Sequence, residues 1–276
     1  MADIKLIALD LDGTTLNSKK EITPRTRAAI DAALAKGVRV ALASGRSLRG
    51  VLPTAKLLEL EKKHGLIVAW NGAYVEDLTS HELLHQRTLP PDIVPELCAY
   101  AKAHDMAIMT YDREGMSISE TPEDQYIVYE AVSNGIPQRK VEDLNAEVTY
   151  PLNKMLLTFH PSRLAELEPQ MQAHFAGRID VYHSEPYFLE AMPLGCTKAT
   201  ALEMLLDKLG LSRENLMVCG DSGNDLAMIR FAGLGVAMGN ADEDVKAQAD
   251  FVSADNDHDG VAEAIEKFVL GRAECL

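Results

Sequence analysis

Residues 5–14 read KLIALDLDGT, an apolar run that ends in two aspartates. A short, wholly apolar run is typical of a central strand that is buried on both faces of a parallel sheet. Asp10 and Asp12 follow at the point where this strand ends. Because Asp and Gly are frequent in turns, the stretch could be an acidic turn and nothing more. Aspartates on both sides of Leu11, directly after such a strand, favour a reactive site instead.

The chain that follows alternates predicted helices and strands. Thr23 and Pro24 predict the N-cap and the first residue of a helix that ends at Gly37. Apolar runs predict the next two strands at residues 38–43 and 66–69. This order is typical of an α/β fold with a Rossmann-like, doubly wound parallel sheet, in which ligands bind beyond the carboxyl ends of the strands.

The pattern changes after about Leu84 and returns at Lys198. Between these points longer polar connections separate the predicted elements, which are helices at residues 93–104 and 163–174 and strands at 107–110, 154–159 and 187–190. After Lys198 the predicted elements are a helix at 199–209, a strand at 216–219, a helix at 226–231, strands at 235–238 and 251–252 and a helix at 261–268. The sequence thus predicts one parallel-sheet domain that is interrupted by an α+β domain.

A second acidic motif, Gly220-Asp221-Ser222-Gly223-Asn224-Asp225, follows the strand predicted at residues 216–219. Asp225 could be a helix N-cap, because a carboxylate there is stabilised by the helix dipole. Two acidic loops at the same edge of a sheet, however, repel each other unless a cation lies between them. Carboxylate oxygens suit Mg²⁺, so we predict a Mg²⁺ site. In such a site Asp10 could attack phosphorus while Asp12 handles the proton of the leaving oxygen.

Two smaller motifs supply groups that could hold a phosphate. Ser44 offers a hydroxyl and Gly45 an N–H without side-chain crowding, directly after the second predicted strand. Lys198 could neutralise the phosphate and the charge that develops in the transition state. Each has an ordinary alternative, a simple turn for the first motif and a solvated surface lysine for the second. The four motifs together, each at a predicted loop, indicate a phosphoryl-transfer site.

The composition argues against several classes of protein. The chain has 276 residues, of which 47% are hydrophobic, and 27 basic against 42 acidic residues make its formal charge −15. Lys and Arg form no cluster, so we expect no nucleic-acid partner. No apolar run approaches the roughly 20 residues of a membrane span, and we expect no membrane partner. The histidines show no HxH or HExxH spacing, and neither a GxSxG nor a Walker A motif occurs.

The cysteines and the N-terminus predict a cytoplasmic protein. Cys98, Cys196, Cys219 and Cys275 form no CxxC pair and lack the spacing of a zinc site or a disulfide framework, so we expect reduced thiols. Residues 1–5 lack the basic start and apolar core of a signal peptide. Cys275 is the next-to-last residue, which does not match the CaaX spacing of prenylation sites. None of these features predicts an oligomeric state.

The four motifs resemble those of the haloacid dehalogenase (HAD) superfamily of phosphohydrolases. Four further segments are similar to its Cof-type sugar-phosphatase branch: Asn71-Gly72-Ala73, Tyr187-Phe188-Leu189-Glu190, Gly235-Val236-Ala237-Met238-Gly239-Asn240-Ala241 and Asp259-Gly260-Val261-Ala262. The resemblance covers nearly the whole chain. It implies a HAD-like catalytic core of residues 1–85 and 189–276 and an inserted α+β cap domain of residues 86–188 that sets substrate specificity.

The resemblance also implies roles for individual residues. Asp10 would be the nucleophile that forms the aspartyl-phosphate, and Asp12 would be the general acid and then the general base. Mg²⁺ would be held by Asp10, the backbone carbonyl of Asp12 and Asp221, with Asp225 in support. The phosphate would be held by Ser44, Gly45, Lys198, Asn224 and the Leu11 backbone. Weaker candidates, for the organic part of the substrate, are Arg46, Asn71 and Glu190.

Three residues depart from the family pattern. Ala199 follows the motif lysine where glycine is common, Ser44 stands where threonine is frequent, and Thr15 stands where leucine is frequent. None of them removes a catalytic group, although Ala199 could shift the helix that carries Lys198.

The expected activity is Mg²⁺-dependent hydrolysis of small phosphomonoesters, with sugar phosphates as the substrate class. A sugar phosphomutase is an alternative, because it would use the same aspartyl-phosphate and differ only in its product. A catalytically silent protein that binds a phosphorylated ligand is a third hypothesis, which the complete set of catalytic groups disfavours.

Overall fold

The computed structural model describes residues 3–271. Numbered in chain order, its strands are β1 (Leu6–Leu9), β2 (Arg39–Ala43), β3 (Leu66–Ala69), β4 (Tyr74–Asp77), β5 (Glu82–Gln86), β6 (Ala107–Tyr111), β7 (Ser117–Ser119), β8 (Gln138–Lys140), β9 (Met155–Thr158), β10 (Ile179–Glu185), β11 (Phe188–Pro193), β12 (Leu216–Gly220), β13 (Leu234–Ala237) and β14 (Phe251–Val252). Its α-helices are α1 (Pro24–Ala35), α2 (Leu48–Leu57), α3 (Ile93–Ala103), α4 (Gln125–Asn134), α5 (Leu144–Glu147), α6 (Pro161–His174), α7 (Lys198–Leu209), α8 (Leu226–Phe231), α9 (Glu243–Lys246) and α10 (Gly260–Phe268).

The chain divides into two compact units. The first contains the residues up to Gly45, residues 51–85 and the residues from Thr197 onward. The second contains residues 46–50 and 86–196.

The first unit is built on an eight-stranded sheet in the order β14-β13-β12-β1-β2-β3-β4-β5. The strands from β14 through β3 run parallel, whereas β4 pairs antiparallel with β3. Central β1 is wholly buried between β12 and β2, as its apolar sequence predicts. The predicted α/β fold with a doubly wound parallel sheet is therefore confirmed.

Side chains of β1 are buried on both faces of this sheet. Leu6 and Ala8 pack in a cluster with Ala201 and Leu202 of α7. Ile7 and Leu9 point to the opposite face, because successive side chains of a strand alternate, and they are also inaccessible to solvent. The same alternation determines whether Asp10, which follows the strand, lies on the face of the sheet that packs against α7.

Local capping residues begin two of the helices in this unit. The Thr23 side chain accepts a hydrogen bond from the Thr26 N–H, and Pro24 occupies the first turn of α1, as predicted. Thr197 and Thr200 form a reciprocal capping box at the start of α7. This box sets the first residue of α7 at Lys198.

The second unit contains a six-stranded sheet in the order β10-β11-β9-β6-β7-β8. Its pairs are antiparallel except for β7 and β8, which are parallel. Residues of α3, α5 and α6 share one apolar core with alternate strand residues such as Ile108, Leu157 and Leu189. The sequence pattern does not predict β7, β8 or α5, because elements of three or four residues show no clear periodicity.

Three cysteines lie in the part of the chain that the structure describes, and all three carry free thiols, as predicted. Cys196 and Cys219 are buried and Cys98 is partly buried. Cys275 lies outside the described residues. No helix within residues 3–271 combines the length and the apolar character needed to cross a membrane.

Candidate active site

The predicted polar residues of the first unit follow four neighbouring strands of the sheet. Asp10 follows β1, Ser44 follows β2, Asn71 lies just beyond β3, and Asp221 follows β12. Because these strands are parallel and adjacent, their carboxyl ends bring the four loops together at one edge.

Asp10 and Lys198 form a buried ion pair at this edge. Asp10 continues the alternation of Leu6 and Ala8, which places it on the face of the sheet that packs against α7. Lys198 is the first residue of α7, and its Nζ lies 2.5 Å from Asp10 Oδ1. The Lys198 side chain is 0% exposed, so the surface alternative for this lysine is wrong. The half-buried Ala199 does not prevent the contact.

Asp225 completes the environment of Lys198. Its Oδ1 accepts a hydrogen bond from Lys198 Nζ at 2.7 Å, and its Oδ2 accepts from the backbone N–H groups of Asp221 and Ser222 at 3.0 and 3.2 Å. Asp225 is fully buried. Its Oδ2 therefore holds the loop that carries Asp221, and its Oδ1 holds Lys198.

The cluster contains more negative than positive charge. Burial raises the pKa of Asp10 well above its ordinary value, Asp225 adds to this rise, and Lys198 opposes it. Burial also raises the pKa of Asp221 to about 6. Burial by itself would lower the pKa of Lys198, but Asp10 and Asp225 raise it by more. The shifts thus combine burial with the crowding of three carboxylates near a single ammonium group.

The residues of this cluster fit a divalent metal. Carboxylate oxygens of Asp10, Asp221 and Asp225 all lie within 4.8 Å of one another. Hard oxygen ligands and excess negative charge are what Mg²⁺ requires of a protein site. Since Asp225 already has hydrogen bonds to both oxygens, Asp10 and Asp221 are the better-placed carboxylate ligands.

Gly13 and Thr14 bring the two acidic loops into direct contact. Thr14 Oγ1 donates a hydrogen bond to Asp221 Oδ1 at 2.8 Å. Gly13 has a φ of +75°, and a Cβ atom at this position would lie 2.4 Å from Asp221 Oδ2. Glycine is therefore required here both for the backbone conformation and for space. Sequence reasoning assigned no contact to Thr14, although it lies inside the first motif.

We expect Gly13→Ala to lower kcat/KM by at least about 10-fold, because the new methyl group would displace the Asp221 carboxylate. The matched control is Gly37→Ala, since Gly37 has a similar φ of +81° but no atom within 4 Å of the added Cβ. Both variants should lose about 1–2 kcal/mol of stability from the left-handed backbone. Activity assays and thermal melts of the two proteins test this. Wild-type activity in Gly13→Ala would contradict the tight contact between the loops.

Asp12 forms an ion pair with a second lysine. Its Oδ1 accepts a hydrogen bond from Lys20 Nζ at 2.6 Å, and the Asp12 side chain is 38% exposed. A partly exposed carboxylate can exchange a proton with solvent, which a fully buried one cannot do readily. Lys20 belongs to the loop between β1 and α1, and no feature of its sequence marks it as a contact of Asp12.

Ser44, Asn71 and Asn224 form a connected group beside the acidic loops. The Ser44 N–H donates to the Val68 carbonyl, and the Ser44 carbonyl accepts from the Asn71 N–H at 3.0 Å. Asn224 Nδ2 donates to Asn71 Oδ1 at 3.1 Å. Asn71 has a φ of +50°, a left-handed conformation that costs roughly 1–3 kcal/mol and is tolerated where the surrounding contacts require it. A Cβ on Gly45 would lie 3.1 Å from Asn71 Oδ1, so Gly45 belongs to the same group.

Two of the predicted substrate contacts belong to the second unit. Arg46 begins the segment Arg46–Gly50, which is part of that unit. Glu190 lies in β11, is 3% exposed and accepts a hydrogen bond from Lys154 Nζ at 2.6 Å.

Among the predicted site residues of the first unit, the structure brings together Asp10, Asp221, Asp225 and Lys198. It places Ser44, Gly45, Asn71 and Asn224 in a second, connected group. Leu11, between Asp10 and Asp12, is buried.

Comparisons with known proteins show similarity over nearly the whole chain. A family model described as haloacid dehalogenase-like hydrolase matches residues 7–265. The 5-amino-6-(5-phospho-D-ribitylamino)uracil phosphatase YcsE of Bacillus subtilis (strain 168) is 35% identical over 268 residues, which cover 97% of each chain. An HMP-PP phosphatase of Serratia proteamaculans (strain 568) is 31% identical over 238 residues, covering 86% of this chain and 84% of that protein. The crystal structure of a haloacid dehalogenase-like hydrolase from Bacteroides thetaiotaomicron superposes with a TM-score of 0.92 at 42% identity, covering 96% of this chain and 99% of that chain.

Proposed function

Because the chain belongs to the haloacid dehalogenase-like hydrolase family and is a phosphatase of that family, we propose that it hydrolyses small phosphomonoesters through an aspartyl-phosphate at Asp10. The observation that carries this proposal is the position of Asp10, a buried carboxylate at the end of the central strand that is paired with Lys198 at 2.5 Å. Lys198 favours the ionised form of Asp10, which is the form that can attack phosphorus.

The proposed reaction has two steps. In the first, a carboxylate oxygen of Asp10 forms a bond to phosphorus, the bond from phosphorus to the ester oxygen breaks, and Asp12 gives its proton to the leaving oxygen. In the second, a water oxygen forms a bond to phosphorus, Asp12 takes a proton from that water, and the bond from phosphorus to Asp10 breaks. Free phosphate leaves, and both aspartates return to their starting forms. The partial exposure of Asp12 supports its use in both directions of proton transfer.

The remaining residues of the first unit would bind the phosphate and the cofactor. We propose that Mg²⁺ is held by Asp10, Asp221 and the backbone carbonyl of Asp12, with Asp225 holding the Asp221 loop. When bound, this cation supplies charge neutralisation for the phosphoryl oxygens. Ser44, Gly45, Lys198, Asn224 and the Leu11 backbone would orient the phosphate.

We propose sugar phosphates as the substrate class. One support is the name of the Bacillus subtilis relative, whose substrate carries its phosphate on a ribityl chain. The first unit would form the catalytic core, and the second unit, which includes β11 and Glu190, would form a cap domain that sets specificity. Arg46, Asn71 and Glu190 would contact the organic part of the substrate, and the buried ion pair of Glu190 with Lys154 supplies both an acceptor and a donor for hydroxyl groups.

We also propose a cytoplasmic location, and we propose that the protein has no nucleic-acid or membrane partner, as the sequence predicts. This rests on the reduced cysteines and on an acidic chain that has no basic cluster.

Removal of the metal tests the proposed mechanism. We expect phosphate release from p-nitrophenyl phosphate and from a panel of sugar phosphates in Mg²⁺, at least about 100-fold less release in EDTA, and recovery when Mg²⁺ is restored. The physical reason is the surplus of buried carboxylate charge that a phosphate dianion would otherwise meet.

Each other outcome has a separate meaning. Activity that survives EDTA would contradict the metal site. An isomeric sugar phosphate without free phosphate would identify a phosphomutase, and binding without turnover on any ester would identify a silent phospho-ligand-binding protein.

A further inference from the structure

The loop between β1 and α1, residues 10–23, is here called the acid loop. Two of its backbone carbonyls accept hydrogen bonds from asparagine side chains near the C-terminus. Asn240 Nδ2 donates to the Gly13 carbonyl at 2.8 Å, and Asn256 Nδ2 donates to the Leu16 carbonyl at 2.9 Å. The two accepting carbonyls lie on either side of Thr14 and Thr15, so the asparagines hold the part of the loop that follows Asp12.

The two asparagines are also joined to each other. Asn240 Oδ1 accepts a hydrogen bond from the Asn256 N–H at 3.0 Å. Asn240 therefore uses both ends of its amide, one toward the acid loop and one toward the turn that contains Asn256. This arrangement requires an amide, because a donor and an acceptor must lie on the same short side chain.

The segment that carries Asn240 contacts the second acidic loop as well. The Met238 N–H donates to the Gly220 carbonyl at 3.0 Å, and the Asp242 N–H donates to the Asp221 carbonyl at 3.1 Å. Residues 238–242 thus connect the loop of Asp12 with the loop of Asp221. The carboxylates of the two loops repel each other. The neutral amide of Asn240 joins the loops at Gly13 without adding a further charge.

The far end of the acid loop is attached to the same C-terminal turn. Asp257 Oδ1 accepts from the Ser18 N–H at 2.8 Å, and Asp259 forms a short hydrogen bond with the Thr23 hydroxyl. The Asp-rich turn at residues 255–260 therefore has structural contacts for these two carboxylates. Because these two contacts do not involve Asn240, its loss would release the part of the acid loop near Gly13 and leave Ser18 and Thr23 attached.

Resting on the proposed function, we infer that Asn240 is a positioning residue for the general acid Asp12. Asn240 holds the carbonyl of Gly13, the residue directly after Asp12, and so sets where the Asp12 carboxyl lies relative to the leaving oxygen. The hydrogen bonds of its amide go to the Gly13 carbonyl and the Asn256 N–H, so it acts on Asp12 through the backbone. Its loss should therefore weaken protonation of the leaving group and spare the attack by Asp10, since Lys198 and Asp225 hold the nucleophile independently.

The test compares kcat/KM of Asn240→Ala on two esters in Mg²⁺. p-Nitrophenolate is a weak base that leaves without a proton, whereas the alkoxide of a sugar phosphate must be protonated as it leaves. We expect kcat/KM for a sugar phosphate to fall about 10-fold and kcat/KM for p-nitrophenyl phosphate to change by less than about 2-fold. Asn240→Asp keeps the size of the side chain but turns an oxygen toward the Gly13 carbonyl, and it should show the same selective loss.

The matched control is Asn215→Ala. Asn215 also uses both ends of its amide, since its Nδ2 donates to the Asp3 carbonyl at 2.9 Å and its Oδ1 accepts from the Ser212 N–H at 3.2 Å. It lies before β12, at the amino end of the strand, away from the acidic loops. We expect Asn215→Ala to lower the Tm about as much as Asn240→Ala and to leave both kcat/KM values unchanged.

An equal fall of kcat/KM on both esters in Asn240→Ala would overturn the inference, and so would unchanged activity on both. Full activity of Asn240→Asp would also overturn it, because a side chain without the amide donor would then suffice. These outcomes are separate from failure of the proposed function, in which the wild-type protein would hydrolyse neither ester.

Discussion

Replacing Asp10 by asparagine is expected to lower kcat by about 10⁴-fold or more, the scale observed when a covalent nucleophile is removed. Asparagine has the same shape, but its amide cannot form the bond to phosphorus that a carboxylate oxygen forms. The fold should remain intact, because Lys198 keeps its hydrogen bond to Asp225 at 2.7 Å. The substitution also removes one of three crowded carboxylates, so we expect the Tm to stay close to the wild-type value or to rise.

The measurement is phosphate release in Mg²⁺ together with acid-quench trapping of a phosphorylated protein. The wild-type protein should carry an acid-stable but hydroxylamine-sensitive phosphoryl group during turnover, and Asp10→Asn should carry none. Asp207→Asn is the control, because Asp207 is an exposed aspartate of α7. Turnover by Asp10→Asn at the wild-type rate would show that Asp10 is not the nucleophile.

Replacing Lys198 by methionine should cost both activity and stability. Methionine fills a similar volume but leaves Asp10 and Asp225 buried without their shared cation. Removing one partner of a buried ion pair destabilises a protein by about 3–5 kcal/mol, because the remaining charge has neither water nor a counter-ion. Activity should fall by about 100-fold or more, since the phosphate loses a positive charge and Asp10 takes up a proton more readily.

Urea denaturation of the Lys198→Met protein measures the stability loss, and Lys208→Met is the matched control on the same helix. Lys208 is exposed in the last turn of α7, so its loss should change stability by no more than about 0.5 kcal/mol. Adding Asp225→Asn to Lys198→Met should restore part of the stability, because one of the two uncompensated carboxylates is then removed. If Lys198→Met were as stable as Lys208→Met, the buried ion pair would make no net contribution to the free energy of unfolding.

Much of the first unit follows from local sequence. The run at residues 5–9 predicts a buried central strand, which is observed at Leu6–Leu9. Thr23-Pro24 predicts the start of α1, which the structure confirms. The predicted residues 66–69 and 226–231 match the observed β3 and α8 at both ends. Elements of this kind are predictable because composition, periodicity and capping act within a few residues of each other.

The second unit is less predictable from its sequence. The strand predicted at residues 187–190 is observed at Phe188–Pro193, and α4 is not evident in the sequence pattern. Antiparallel strands such as β7 gain their stability from cross-strand contacts with distant residues, so their short sequences carry little signal of their own.

By itself the sequence determined the parallel strands of the first unit, the family of the chain and the identity of its candidate chemical groups. Only the tertiary structure decided their environments. Lys198 and Asp10 are 188 positions apart, and Asn240 and Gly13 are 227 positions apart, so no local pattern could place them in contact. The burial of Lys198, the pairing of Asp12 with Lys20 and the contact of Asn240 with the acid loop arise when parallel strands bring their carboxyl ends to one edge. The free energy of a charge or a hydrogen bond depends on its surroundings, and those surroundings exist only in the folded chain.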